Sequence, residues 1–374
     1  MGETLKIAFV YDVIYPWVKG GVEKRIYELA TRLAKKHEVH IYGYRHWGES
    51  STLEGEGITY HGTLGVKKLY SSGRRAILPP LLHSIKLVPL LSKERYDVID
   101  CQAAPYFTCY ASKTSRSPLV ITWHEFWGDY WSNYLGKVGL VGKLLERGLF
   151  NLTDNHVAAS LKTKKDLHNA GLRKDITVIP NGVDFRRIQE IEPSSYQSDI
   201  IFVGRLIKEK NVSLLLKALA LIKEEIPDVK AVVIGDGPER QHLESLSSRL
   251  GLKKNVEFRG FLKRHEDVIA FMKASKVFAF PSLREGFGIV VVEANASGLP
   301  VVTVDYNMNA SKDLINDGKN GFIARVDERD FAEKILIAFE KRRRMKSVSM
   351  NIASRYDWDE ITERLEKSYL SFLP

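Results

Sequence analysis

The stretch Ser282–Gly298, SLREGFGIVVVEANASG, holds Glu285 and Glu293 with seven residues between them, and Gly286-Phe287-Gly288 just after the first. The apolar run that follows predicts a helix from near Ile289. Glu285 then lies in the loop before the helix, and Glu293 lies about 6 Å deeper along its axis. Glycines strip the loop of side chains, so a ligand can reach main-chain N–H groups. A carboxylate can accept hydrogen bonds from two vicinal hydroxyls. The pattern reads hydroxyl, phosphate, hydroxyl: a sugar at Glu285, a diphosphate over Gly286–Gly288, a ribose at Glu293. An acid stabilising a helix N-terminus is the ordinary alternative, and it is a strong one for Glu285.

Two cations fit the same ligand. In FVGRLIKEKNV, Arg205 and Lys210 follow a strand and precede a helix. Arg offers a planar fork and Lys a point charge, both suited to a diphosphate. A solvated charged loop is the plain alternative. Gly20-Gly21 opens another helix after the first strand and can let N–H groups approach phosphate. The spacing is not G-x-G-x-x-G, so the dinucleotide fingerprint is absent. His124, in WHEF, is a titratable group at the end of a strand, where a capping or surface histidine is the first reading of the residues alone.

Other chemistries are disfavoured. There is no HExxH and no cysteine cluster, so zinc is not expected. Asp357-Trp358-Asp359 mimics a metal-binding D-x-D, but Asp357 with Glu360 reads as a helix capping box. No cofactor and no essential metal are expected. KRRRMK at 341–346 reads as a solvated helix face rather than a nucleic-acid patch. Cys101 and Cys109 read as reduced thiols.

These residues need rigid carriers. Apolar, β-branched runs of four to seven residues alternate with amphipathic stretches along the chain. The first series is Leu5–Tyr11, Glu38–Tyr42, Tyr96–Cys101, Leu119–Thr122, Val157–Ser160 and Thr177–Ile179; the second is Asp199–Val203, Val229–Ile234, Val256–Arg259, Lys276–Phe280 and Pro300–Val304. Such alternation predicts an α/β fold with parallel sheets covered on both faces. The 374 residues exceed one ordinary core. The polar stretch 185–198 reads as a linker between two domains, 1–184 and 199–355. A final helix, 356–374, is expected to pack back on the first domain. Ligands of open α/β sheets bind at the carboxyl ends of the strands.

In this order the motifs resemble a large enzyme family over essentially the whole chain. Gly20-Gly21, WHEF at 123–126, IPNGVD at 179–184, GRLIKEKN at 204–211, GDGP at 235–238 and the paired glutamates are similar to retaining glycosyltransferases of the GT-B fold, family-4 type. The resemblance implies two Rossmann-like domains facing each other across a cleft. It implies transfer of a hexose, mannose or glucose being candidates, from a nucleoside-diphosphate-sugar with retention at the anomeric carbon. Glu285 would hold the sugar and Glu293 the ribose. Arg205 and Lys210 would bind the diphosphate, joined by Gly21 from the other domain. The nucleobase would lie along Arg259, Gly260, Phe261 and Leu262, mainly against main chain. His124 would face the transferred sugar and the acceptor. One departure is TVDYNMNASKDLI, which has no glycine and carries Asp313 where the family has Glu, so the conformation of 305–313 is open. A nucleotide-sugar epimerase or hydrolase on the same fold is the alternative within enzymes. A basic nucleic-acid-binding protein is the alternative outside them.

Net charge is +10, which calls for an anionic partner. Residues 67–95 carry Lys67, Lys68, Arg74, Arg75, Lys86, Lys93 and Arg95 beside a helical pattern of Leu78, Leu81, Leu82, Ile85 and Val88. A basic amphipathic segment can lie in a membrane interface, and the same helix can simply cover a sheet. The segment leads to the expectation of a lipid-linked acceptor and peripheral attachment to an anionic, cytoplasmic membrane face, with no nucleic acid bound.

Overall fold

The first strand shows why the sheets form. β1, Lys6–Val10, has four of five side chains buried. Ile7 and Phe9 join one apolar cluster, and Ala8 and Val10 another, so the strand is buried on both faces. The structure is a computed structural model that describes residues 4–66, 70–71 and 74–373, with main chain alone at 70, 71, 74 and 75.

The chain divides into two units, Met1–Asn181 with Trp358–Pro374, and Gly182–Asp357. In the first unit, β2 is Glu38–Arg45, β3 Thr52–Gly55, β4 Ile58–Gly65, β5 Tyr70–Ser71 and β6 Arg74–Arg75. Further along, β7 is Val98–Gln102, β8 Leu119–Trp123, β9 Asn155–Ala158 and β10 Ile176–Val178. Eight of these strands form one sheet in the order β10-β9-β8-β7-β1-β2-β4-β3, while β5 and β6 pair with each other. Every pairing in that sheet is parallel except β3 with β4. One face is covered by helix Gly21–Leu33, through Ile26, Leu29 and Leu33, and by Trp358, Ile361, Leu365 and Tyr369 of the last helix. Burying such side chains stabilises by about 1.5–3 kcal/mol each, enough to hold the last helix in this unit. Helix Leu78–Leu91 covers the opposite face with Leu87 and Leu91.

In the second unit, β11 is Ile200–Val203, β12 Ala231–Ile234, β13 Val256–Gly260, β14 Val277–Phe280, β15 Val301–Val304 and β16 Gly321–Ala324. They form a parallel sheet in the order β13-β12-β11-β14-β15-β16. Both units are therefore Rossmann-like.

Three expectations change. Residues 185–198 are not a free linker. Asp184 caps helix Phe185–Glu190 by accepting from Arg187 N at 3.0 Å, and Ile188 enters the core of the second unit. Lys273 Nζ also donates to the carbonyls of Gln189 and Ile191, at 2.9 and 2.6 Å. The units accordingly meet at 181/182 and 357/358 rather than at the expected boundaries. The hairpin β3–β4 and strand β16 are additional to the expected strands. Glu56 and Gly57 turn the hairpin with φ of 56° and 75°, a left-handed pair for which Glu gives no sequence signal. Beside these changes, Asp357 Oδ2 accepts from Phe185 N at 3.1 Å, which ties helix Phe185–Glu190 to the end of the same unit.

Candidate active site

β11 and β14 are neighbours although β12 and β13 intervene in the chain, so the strand order reverses between them. Such a switch point leaves a crevice at the carboxyl edge. Lys210 comes from the loop after β11 and Glu285 from the loop after β14. Lys210 Nζ and Glu285 Oε1 are in direct ion-pair contact, with both side chains largely buried. The ammonium also lies 5.3 Å from the ring centre of Phe280. Arg205 precedes Lys210 on the loop after β11 and is exposed. Lys210 runs alongside Gly204, where an added Cβ would meet Lys210 Cδ at 4.0 Å.

The expected helix starts at Ile289, capped by Gly288 at φ 100°. A Cβ at Gly288 would come within 2.6 Å of Ser311 Cβ, so glycine is needed for both conformation and space. Gly286 lies in the loop, while the Phe287 side chain turns into the core and packs 5.9 Å from Tyr356. Glu293 is buried one turn inside, and His265 Nε2 lies 2.9 Å from its Oε1.

The glycine-free segment 305–313 has a definite shape. Glu285 N donates to Met308 O at 2.9 Å, and Ala310 N donates to Glu285 O at 3.0 Å. Asn309 is fully buried. Its Oδ1 accepts from Ser311 N, and its Nδ2 donates to Val304 O at 2.9 Å. A side-chain amide thus organises a turn for which the sequence offers no glycine. Asp313 lies on the exposed side.

The GDGP loop packs against the loop that carries Arg205. A Cβ on Gly235, at φ 134°, would meet Gly204 O at 1.9 Å, and one on Gly237 would meet Leu206 O at 2.4 Å. Next to it, Arg259 is engaged by Glu257 at 2.6 Å and stacks over Tyr196 at 4.5 Å. Its side chain is thus held against Glu257 and Tyr196. Phe261 projects outward at 71% exposure, and Leu262 packs on the core.

In the first unit, Gly20 is extended and Gly21 starts the helix. The Glu23 carboxylate folds back so closely that a Cβ on Gly20 would lie 2.6 Å from its Oε1. The helix N-terminus therefore already faces an anion of its own chain. His124 follows β8, partly buried, with Nε2 at 2.8 Å from Gln102 Oε1. Burial, then the nearby Arg25 cation, pushes its imidazole down to about 3, so the ring is neutral at physiological pH.

His124 and Glu125 are among the residues that line a cavity of about 380 Å³. Its walls include Ile77 and Pro80 beside and on helix Leu78–Leu91, the aromatic side chains of Trp127, Trp131 and Tyr134, and Val138, Val141 and Leu145 near and on helix Gly139–Gly148. Glu146 is fully buried and fixes this wall. It accepts from Tyr106 Oη at 2.6 Å and from the N–H groups of Trp127 and Gly128, both at 2.8 Å. Burial pushes its carboxyl up.

Asp100, Gln102, Glu146 and His265 are functional candidates beyond those read from sequence. Asp100 and Gln102 carry a signal: two polar residues two apart in VIDCQ, on one face of a buried strand. Among the described residues, Glu38, His40 and Glu94 could group around a metal, but Lys6 Nζ already bridges the two carboxylates at 2.9 and 2.5 Å.

A family model described as glycosyl transferases group 1 matches residues 184–355, and one described as glycosyltransferase family 4 matches residues 19–187. The gpi3 subunit of phosphatidylinositol N-acetylglucosaminyltransferase from Schizosaccharomyces pombe is 25% identical over 379 residues, 96% of this chain and 79% of its own. A human phosphatidylinositol N-acetylglucosaminyltransferase subunit is 30% identical over 80% of this chain and 62% of its own length. A Campylobacter jejuni α-1,4-N-acetyl-D-galactosaminyltransferase named for an undecaprenol-linked glycan is 27% identical over 97% of both chains. Among solved structures, sucrose-phosphate synthase from Thermosynechococcus elongatus superposes with a TM-score of 0.79 at 17% identity, covering 98% of each chain. Anabaena HepE in complex with UDP gives 0.75 at 23% identity, covering 98% of this chain and 100% of the other. The two family matches run together from residue 19 to 355, and with this architecture the chain belongs to the group 1 glycosyltransferases of the GT-B fold.

Proposed function

We propose that the protein transfers a hexose from a nucleoside-diphosphate-sugar, with retention and without an essential metal, to an acceptor carried on a lipid. The observation that carries this reading is the meeting of Lys210 and Glu285 at the β11/β14 switch point, with Glu293 buried one helical turn behind. Lys210 and Arg205 would take the diphosphate. Glu285, freed from Lys210, would accept hydrogen bonds from sugar hydroxyls. Glu293 would hold the ribose, and the main chain of 260–262 the base. In an oxocarbenium-like transition state, negative charge grows on the departing diphosphate. The two cations address that charge, and preorganised groups of this kind are worth about 2.7–4 kcal/mol each. They supply locally the positive charge that a metal would bring. Retention follows if the leaving phosphate takes the acceptor's proton on the same face.

The lipid rests on the first unit. Helix Leu78–Leu91 buries Pro80, His83, Ser84, Leu87 and Leu91 but leaves Leu78, Leu81, Leu82 and Ile85 exposed, so covering the sheet does not use its second apolar face. Val138, Leu140, Val141 and Leu144 are exposed as well, and Val138 and Val141 also line the cavity. Exposed apolar side chains gathered on one helix face suit an interaction site. Exposed Lys86, Lys93 and Lys137 suit an anionic surface. Arg74 and Arg75 are described in main chain alone, and Lys67 and Lys68 lie outside the described residues. Among the described residues no helix is long and apolar enough to cross a membrane. The relatives named for phosphatidylinositol and undecaprenol-linked substrates agree with a lipid acceptor.

The test is a thermal-shift panel of nucleoside diphosphates and their sugars. One of them, at about 100 times its dissociation constant, should add about 2.7 kcal/mol of stability. Glu293→Ala weakens binding and should cut that shift by about half or more at the same concentration. A panel that leaves the unfolding temperature unchanged throughout contradicts the reading.

A further inference from the structure

Polar side chains of the first unit form one buried line that ends on His124. Tyr369, on the last helix, is fully buried and donates its hydroxyl to Asp100 Oδ2 at 2.5 Å. Asp100 Oδ1 accepts from Thr122 Oγ1 at 2.7 Å and from Gln102 Nε2 at 2.9 Å. Gln102 Oε1 lies 2.8 Å from His124 Nε2. Asp100, Gln102 and Thr122 are themselves almost completely buried.

The line has a direction. Asp100 accepts at both oxygens, from Tyr369, Thr122 and Gln102, which is the pattern of an ionised carboxylate, a group that only accepts. Gln102 therefore turns its NH2 group to Asp100, which leaves its carbonyl oxygen for the histidine. An oxygen acceptor calls for a proton on Nε2. The Arg25 guanidinium, fixed by the carbonyls of Ile179 and Pro180 at 2.9 and 2.6 Å, opposes a second proton on the ring. A neutral imidazole with its proton on Nε2 keeps its lone pair on Nδ1.

We propose that Tyr369 is a positioning residue for His124: through Asp100 and Gln102 it fixes the Nε2–H tautomer, so that Nδ1 is the atom offered to a substrate hydroxyl. The substrate hydroxyl rests on the function proposed above, while the tautomer rests on the hydrogen bonds alone. His124 then accepts a hydrogen bond and does not act as an acid. The last helix, although its tyrosine lies 269 positions from Asp100 in the chain, helps to set the electronic state of the site.

Loss of the tyrosine hydroxyl should reverse the line. Burial already pushes the Asp100 carboxyl up, and the bond from Tyr369 opposes this. Without that bond Asp100 takes up a proton from water and donates it to Gln102 Oε1. The amide turns, its NH2 group faces Nε2, and the ring proton moves to Nδ1. Nδ1 can then no longer accept.

The experiment is 15N NMR of histidine-labelled full-length protein, as wild type, Tyr369→Phe and Gln102→Met, with the His124 signals assigned by His124→Gln. Wild type should show a protonated Nε2 and an unprotonated Nδ1. Tyr369→Phe should shift protonation toward Nδ1, and Gln102→Met should give a mixture of tautomers. Nucleoside-diphosphate affinity should stay unchanged in both variants while kcat for transfer falls about tenfold, the scale of one hydrogen bond. A wild-type ring protonated at Nδ1, or a Tyr369→Phe ring identical to wild type, overturns the proposal. A shifted tautomer with unchanged kcat overturns instead the substrate contact assigned to His124. If Tyr369→Phe does not fold, the wild-type spectrum and Gln102→Met decide.

Discussion

Lys210 and Glu285, 75 positions apart in the chain, neutralise each other at the β11/β14 switch point. The function proposed above gives both to the donor, and on that reading a bound diphosphate draws Lys210 away and leaves Glu285 to the sugar. The two substitutions should therefore act in opposite directions on nucleotide binding. Lys210→Ala should weaken nucleoside-diphosphate binding by about 1.5–3 kcal/mol, roughly 10- to 100-fold. Glu285→Ala should keep or tighten it, because Lys210 is released, while transfer is lost. Titration calorimetry with the free nucleotide checks this. Equal losses in both variants would remove the division of labour.

Gly235 supports the site from behind. Its φ of 134° is strained for any other residue, and a Cβ would lie 1.9 Å from Gly204 O. Gly235→Ala should destabilise the second unit by about 2 kcal/mol or more, since neither the backbone angle nor the contact can relax cheaply. Gly48, with nothing within 4 Å of its Cβ position, is the control and should change little on substitution by Ala. Urea unfolding of both variants gives the comparison.

Acid should weaken the first unit through its histidines. Burial lowers His83 to about 3 and His156 to about 4, and both side chains are almost inaccessible. The unfolded chain takes up these protons near pH 6.5 and the folded chain does not. Stability is therefore complete above pH 6.5 and falls as the pH drops toward 4. The loss is about 2 kcal/mol for each of the two at pH 5. Asp100 and Glu146, raised by burial, act in the opposite sense at the acid end, because the folded state holds a proton that the unfolded state releases. All six tryptophans, at 17, 47, 123, 127, 131 and 358, belong to the first unit. Their fluorescence should show the urea midpoint falling between pH 7 and pH 5, and an unchanged midpoint would contradict the assignment.

The strands and the helix after β14 are readable because they depend on local pattern. Continuous apolar runs gave β1, β7, β11 and β14, and the glycines around Phe287 placed the helix start at Ile289. What was not readable depends on contacts distant in sequence. The ion pair of Lys210 with Glu285 and the buried bond from Tyr369 to Asp100 leave no spacing rule to detect. Residues 185–198 look like a linker because they are mostly polar, yet Phe185, Ile188 and Ile191 suffice to dock them. The segment 305–313 lacks glycine, and its turn is made by Asn309, whose side chain bonds its own neighbours.

Membrane attachment should depend on the second apolar face of helix Leu78–Leu91. Leu82→Ser with Ile85→Ser removes two exposed side chains without touching the sheet-facing ones, so folding should be spared. Co-sedimentation with anionic vesicles at low salt should be strong for wild type. It should fall on addition of salt and fall further in the double variant, while neutral vesicles bind little. Equal binding by wild type and variant would return this face to solvent.

Product analysis tests the central claim most directly. The purified protein is incubated with a panel of labelled nucleoside-diphosphate-sugars and vesicles containing a polyprenyl-diphosphate-linked or phosphatidylinositol acceptor. The account predicts one labelled glycolipid, free nucleoside diphosphate released in equal amount, and an anomeric configuration in the product that matches the donor's. Free sugar, an isomerised donor, or a product with inverted configuration would contradict it.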